Sequence, residues 1–327
     1  MRHLSPRFTA SHLPANPRDL ADDLGPGLFS GIGEQLPAKG LHLAEIEADP
    51  HKLTAKAPDV GAGMAWSTPE EARARAEREK PMWREAVRLS GAQLTPLPSD
   101  DGLIAPQQLD RHIARRGPVH HSQPRIVTIT QSTENGRVWS PDALAEFIGY
   151  AHQHDLLVHV DGSRIANAIA ALDVLPREAI GDADIVTVGG TKNGMLFGDA
   201  VLIRRPEHFP GIRFVQKQIG HLASKHRFIS AQFEAMLHDD LWLQTAAHAN
   251  RLAATLSAGF MEAGLELAAP TEANEVFVVL DAATTARVRE HFAVHAPDTT
   301  RPVIRFVCSW ATTEDDVAAV LKAIAPD

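Results

Sequence analysis

Between Asp155 and Phe197, two short apolar runs rich in β-branched residues, Leu156–Val160 and Ile185–Val188, flank a stretch of different period. Continuous apolar runs of this length predict strands buried on both faces, as in a parallel sheet. The intervening Arg164–Leu172 repeats Ile, Ala and Leu at helical spacing, so the unit reads strand–helix–strand. Upstream, Ala92–Leu97 is a short apolar segment, Ser99–Gly102 a turn, Pro106–Arg115 a helix and Pro124–Thr130 a buried strand. Pro141–His154 is a helix with Ser140 as N-cap and Pro141 at its first position. Downstream, Ala200–Ile203 is a strand, Gln216–His238 is largely helical, and Asp239–Ala263 is a long amphipathic helix starting at Asp239 or Asp240. The chain then alternates strand Glu275–Leu280, helix Thr285–Phe292, strand Val303–Cys308 and helix Thr313–Ile324, capped by Thr312 or Thr313. That last alternation is the pattern of a small α/β domain, 241–327, following a larger one, 91–240.

Met1–Leu94 breaks this texture, with Pro, Arg, Ala and His scattered over no sustained period. Its one patterned element is the helix Thr68–Leu89, with Ser67 or Thr68 as cap, Pro69 in the first turn and Pro81 as a break. The Arg–Glu run along it reads as a solvated face.

The chemistry lies just past the central strands. Asp161 follows the first and Lys192, in Gly-Gly-Thr-Lys, follows the second. In open parallel sheets ligands sit beyond the carboxyl ends of the strands, so both side chains face one crevice. Taken singly, the Asp is an ordinary cap or turn residue and the Lys an ordinary solvated one. On successive strands of one crossover unit they suit pyridoxal phosphate: an amine condenses with the aldehyde, and a carboxylate keeps the pyridine nitrogen protonated. Lys192 must then lose its proton near neutral pH, which requires burial or a nearby positive charge. Gly189 and Gly190 would let backbone approach the cofactor, and Gly162 supports the exit from the first strand. Thr191 would give its hydroxyl either to the cofactor phosphate or to the turn. His159, two residues before Asp161 on the same pleat face, reads as a satisfied core histidine.

The segments HVDGSRIANA, VTVGGTKNG and ITQSTENGRVWSPDAL resemble those of the low-specificity threonine aldolases, and KQIGHLASKHRFISAQFEAML and IRFVCSWATTEDDV extend the likeness from about Gly91 to the C-terminus. The resemblance implies a pyridoxal-phosphate enzyme of the aspartate-aminotransferase fold (fold type I): an α/β large domain on a mainly parallel sheet, with a small C-terminal α/β domain. It implies that Arg164 contacts cofactor and substrate carboxylate, and that Arg305 holds the amino acid's α-carboxylate, a task suited to the planar guanidinium fork. An intradomain salt bridge and an exposed strand arginine are the respective alternatives. It places Gln131 and Glu134 near the cofactor, and Lys225 and Arg227 near its phosphate, often across a subunit interface; either cation could equally be a surface charge. A homo-oligomer, dimer or tetramer, is implied. The family's Ser-Asp-Asn stretch, the Gly-Thr helix start that cradles the phosphate and the ring-stacking histidine have no counterpart in residues 1–90. That segment is expected to be divergent or the product of a wrong reading frame, and loosely packed or disordered.

Composition narrows the alternatives. The 327 residues suffice for two domains, with 44% hydrophobic and 22% charged residues as in soluble globular proteins. A net charge of −9 argues against a nucleic-acid binder, and the single cysteine, Cys308, excludes an internal disulfide and a zinc-cysteine cluster. No run approaches a membrane span and the start lacks the apolar core of a secretory signal, so a cytoplasmic location is expected. The nucleotide-binding glycine motifs, HExxH and GxSxG are absent, and His120–His121 and His152/His154 read as solvated pairs rather than metal ligands. The expected activity is cleavage of threonine or another β-hydroxy-α-amino acid to glycine and an aldehyde. The alternatives are a β-eliminating amino-acid lyase of the same fold and a catalytically impaired relative lacking the phosphate-binding part.

Overall fold

In a computed structural model of the chain, residues 92–99, 101–294, 296 and 302–325 are described. The expectations for residues 1–90, helix Thr68–Leu89 included, lie outside them.

Three parallel strands form in chain order: β1 (Ile126–Thr130), β2 (Leu157–Gly162) and β3 (Ile185–Gly189); β4 (Asp199–Ile203) adds antiparallel to β3, giving the order β1-β2-β3-β4. A short 3₁₀ turn, Pro106–Leu109, leads into α1 (Asp110–Ile113), so the single helix expected over Pro106–Arg115 is split. Helix α2 (Pro141–Gln153) is the β1–β2 crossover, and the Ser140 hydroxyl accepts from the Ala143 amide at 3.2 Å, the expected cap. Helices α3 (Ile165–Leu172) and α4 (Pro176–Ile180) make the second crossover, the latter without a periodic signal long enough to read.

Alternate side chains of the strands, Val127, Ile129, Val158, Val160, Val186 and Leu202, are buried in one core with the apolar faces of α2 and α3. The opposite face is more open: Ile126 and Val201 stay about half exposed, and His159 is half-buried there. Both ring nitrogens of His159 face hydroxyls, Thr187 at 2.9 Å and Thr128 at 3.4 Å, the satisfied histidine expected from the strand.

The helical stretch expected over Gln216–His238 is two helices, α5 (Ile212–Gln218) and α6 (Arg227–Leu237). Gly220, at φ +80°, turns the chain between them into a conformation no helix contains. Helix α7 (Leu241–Glu262) then runs from one core to another: Trp242, Leu243 and Ala246 pack with the parallel sheet, Leu252, Leu256 and Phe260 with a second, two-stranded sheet. That sheet pairs β5 (Glu275–Val279) antiparallel with β6 (Val303–Val307), and α8 (Ala282–His291) and α9 (Glu314–Ile324) complete it. Thr313 caps α9, its hydroxyl accepting from the Asp316 amide at 3.1 Å. Val276, Val278, Ile304 and Phe306 turn toward the helices, so the alternate residues Glu275, Phe277, Val303 and Arg305 turn the other way. Cys308 is free and buried, and that burial pushes its thiol up to about 11. Among the described residues no helix is long and apolar enough to cross a membrane.

His152 is not the solvated residue expected. It sits 3.0 Å from the fully buried carboxylate of Asp184, which also accepts from the Val158 amide at 2.6 Å and from Arg205 at 2.7 Å. The network ties β2 to the residues flanking β3 and β4.

Candidate active site

The carboxyl ends of the three parallel strands deliver the site. The loop after β1 carries Glu134, the end of β2 carries Asp161 and Arg164, and the β3–β4 connection carries Lys192. Asp161 is half-buried, and its Oδ1 accepts from the Ser163 amide at 3.0 Å and the Ser163 hydroxyl at 2.6 Å. These bonds fold the strand's exit around the carboxylate. A Cβ at Gly162 would lie 2.4 Å from the Thr187 carbonyl oxygen, so β2 and β3 close this tightly only over glycine.

Lys192 occupies a single 3₁₀ turn, Thr191–Asn193. The turn is held from behind by Asn193, whose amide donates to the Trp242 carbonyl at 2.7 Å and accepts from the Thr245 hydroxyl at 3.0 Å. The glycines before the lysine also allow close packing. A Cβ at Gly190 would meet Met195 Sδ at 2.1 Å, and one at Gly189 would meet Ser163 Cα at 2.8 Å. Partial desolvation and then the Arg164 charge lower the Lys192 pKa from the ordinary lysine value, against the pull of Glu134, Asp161 and Glu275. That is the direction an amine nucleophile needs. Thr191 is exposed beside it.

The second sheet supplies the far wall. Arg305 on β6 is buried, not the exposed strand arginine that was the alternative. It donates from Nε and Nη2 to one oxygen of Glu275, the Nε bond being 2.8 Å. Arg164 Nη2 approaches that same oxygen at 3.3 Å, so the ion pair of Arg164 reaches across to the small sheet. Glu275 is fully buried and was read only as the start of a strand. Its signal was an acid inside the run Glu275–Leu280, two residues off the position that pairs with Arg305. Burial raises the Glu134 pKa and Glu275 adds to it, opposed by Arg164, Lys192 and Arg305. Asp199, at the start of β4, is raised by burial and by Asp161.

Gln131 and Arg227 have partners within the chain. The Gln131 amide donates to the Trp139 carbonyl at 3.0 Å and the Ala179 carbonyl at 3.3 Å and accepts from the Trp139 amide at 3.0 Å. It therefore holds the loop that carries Glu134. Arg227, at the start of α6, stacks over Phe228 at 5.1 Å and, like Lys225, is exposed.

The chemistry of the site suits the aldehyde and ring of pyridoxal phosphate. Glu134 Oε2, Arg164 Nε, Glu275 Oε2 and Ser132 Oγ are buried polar atoms without hydrogen-bond partners among the described residues. Such atoms cost stability unless a polar ligand or water meets them.

Residues 73–283 match the beta-eliminating lyase family, a match that begins ahead of Gly91, where the motif likeness starts. A low-specificity L-threonine aldolase of Pseudomonas sp. (strain NCIMB 10558) is 36% identical over 241 residues, covering 72% of this chain and 70% of that protein. One of Pseudomonas aeruginosa is 34% identical over 238 residues, 72% of this chain and 69% of that protein. The solved structure of Leishmania major threonine aldolase superposes with a TM-score of 0.70 at 26% identity, covering 74% of this chain and 72% of that one.

Proposed function

The chain belongs to the beta-eliminating lyase family, and from that premise we propose that it cleaves threonine or a related β-hydroxy-α-amino acid to glycine and an aldehyde, with pyridoxal phosphate as cofactor. Its fold is that of the fold type I pyridoxal-phosphate enzymes. The observation that supports the reading is that Arg164, Glu134, Asp161 and Glu275 all lie near enough to Lys192 to act on its charge, that Glu275 joins Arg164 to Arg305, and that the lysine's proton affinity is lowered. The cofactor supplies an electron sink for the pair left when the Cα–Cβ bond breaks. Lys192 would hold its aldehyde carbon, and Asp161, fixed by Ser163, would keep a proton on the ring nitrogen. Arg305 and Arg164 hold the substrate's carboxylate, a contact suited to the planar guanidinium fork. Glu134, a half-buried carboxyl with raised proton affinity, neighbours the charges of Arg164, Lys192 and Arg305 and is proposed to lie beside the cofactor. Thr191, Lys225 and Arg227 are proposed for the phosphate, their exposure leaving them available to it.

We place the protein in a homo-oligomer. Leu196, Phe197, Phe214, Leu222 and Phe228 are 45% to 80% exposed, and this density of uncovered large apolar groups suits a subunit interface. The test of function is to incubate the purified chain with cofactor and threonine or phenylserine. Release of aldehyde and glycine supports the reading; a keto acid with ammonia supports β-elimination instead, the chemistry for which the family is described. No product of either kind from folded, cofactor-loaded protein overturns both.

A further inference from the structure

We infer that Glu275 is a positioning residue that pins the Arg305 guanidinium so that one edge of it is presented to the substrate's carboxylate, an inference that rests on the function proposed above. A guanidinium has a side edge, Nε with one Nη, and an end edge made by both Nη groups, and either can bind a carboxylate in a fork. Glu275 takes the side edge, since Nε and Nη2 of Arg305 both donate to its Oε1. Among the described residues no hydrogen bond engages Arg305 Nη1, so the end edge is left for a second carboxylate. Glu275 itself cannot swing away freely. It is fully buried, it is held by Arg164 Nη2 at 3.3 Å as well, and it lies on the same pleat face as Arg305 of the adjacent strand. Three guanidinium nitrogens therefore converge on a single oxygen, and the arginines of the two sheets are locked to each other through it.

Carboxylate anchoring is made equally in the ground and transition states, so losing the pin should appear in KM rather than kcat. Two variants separate geometry from charge. Glu275→Gln keeps the reach and an acceptor oxygen but removes the charge; Glu275→Asp keeps the charge but withdraws the oxygen by about one bond length. For threonine cleavage by the cofactor-loaded protein, Glu275→Asp should raise KM about tenfold with kcat within about threefold, and Glu275→Gln should leave KM no higher than native. Equal rises in both variants, or a native KM in Glu275→Asp, would overturn the role. A second readout needs no turnover: the Arg305 Nε–H signal in nitrogen-edited NMR, assigned by its loss in Arg305→Lys. It should be protected from exchange in the native protein and in Glu275→Gln, and exchange rapidly in Glu275→Asp. Native protein that releases no aldehyde yet shows this pattern overturns the aldolase reading alone. Rapid exchange of that signal in the native protein overturns the positioning role alone.

Discussion

Replacing Asn193 by Ala should loosen the turn that carries Lys192 without unfolding the chain. The side chain makes two buried hydrogen bonds to α7, donating to the Trp242 carbonyl at 2.7 Å and accepting from the Thr245 hydroxyl at 3.0 Å. Neither partner is left bare by the change. The one proton of the Thr245 hydroxyl, released from Asn193, can turn to the Trp242 carbonyl at 3.0 Å and satisfy both groups. The penalty for stranded polar groups therefore drops out, and what is lost is the net worth of two neutral bonds, together about 2 kcal/mol. Urea unfolding should show this as a lower midpoint at unchanged slope. The functional effect should exceed the stability effect, because a displacement of about 1 Å in a reacting group costs on the order of a hundredfold in rate. Borohydride trapping of cofactor on Lys192, read by peptide mass spectrometry, should fall in parallel with aldehyde release. Native stability together with native trapping in Asn193→Ala would refute the claim that this side chain sets the lysine's position.

Lys192→Ala should remain folded and lose the trapped cofactor altogether; a cofactor trapped on another lysine would remove Lys192 from its role. Asp161→Asn should lose activity by orders of magnitude, nearly as much as Asp161→Ala, because the amide supplies no negative charge to keep the ring nitrogen protonated; comparable activity of Asn and native forms would exclude that role. The Asp184 network should make stability pH-dependent. Burial alone would raise the Asp184 pKa, but the Val158 amide, His152 and Arg205 outweigh it and hold it below the ordinary carboxylate value. Its contribution is then present above the unfolded pKa of about 3.9 and lost as pH falls through the lower folded value. Asp184→Asn should accordingly be less stable than native protein at neutral pH, with the gap in denaturation midpoint narrowing below about pH 4; a gap that widens in acid would contradict the assignment.

What could be read from the sequence was set by the range of the forces involved. The parallel strands are short runs dominated by Val and Ile, a local signal that survives without knowledge of neighbours, and the candidate site residues lie at or just past their ends. The caps at Ser140 and Thr313 were legible for the same reason, since each hydroxyl bonds an amide three residues away. The break between α5 and α6 was not, because apolar and polar residues stay mixed across it while Gly220 takes a left-handed conformation that ends α5. Gln131 was assigned to the site by its place after β1, but the direction of its amide depends on Trp139 and Ala179, the latter 48 residues away. Glu275 was invisible for a stronger reason. An acid in an apolar strand is only a cost until its partners are known. Those partners, 30 residues downstream on β6 and far upstream after β2, meet it only once two sheets have formed and faced each other. The residue that joins the two halves of the site is thus the one whose meaning depends most on tertiary structure. A buried acid in register with a motif arginine on the neighbouring strand is the pattern by which such a residue can be sought, because strand pairing brings diagonal neighbours within reach of long side chains.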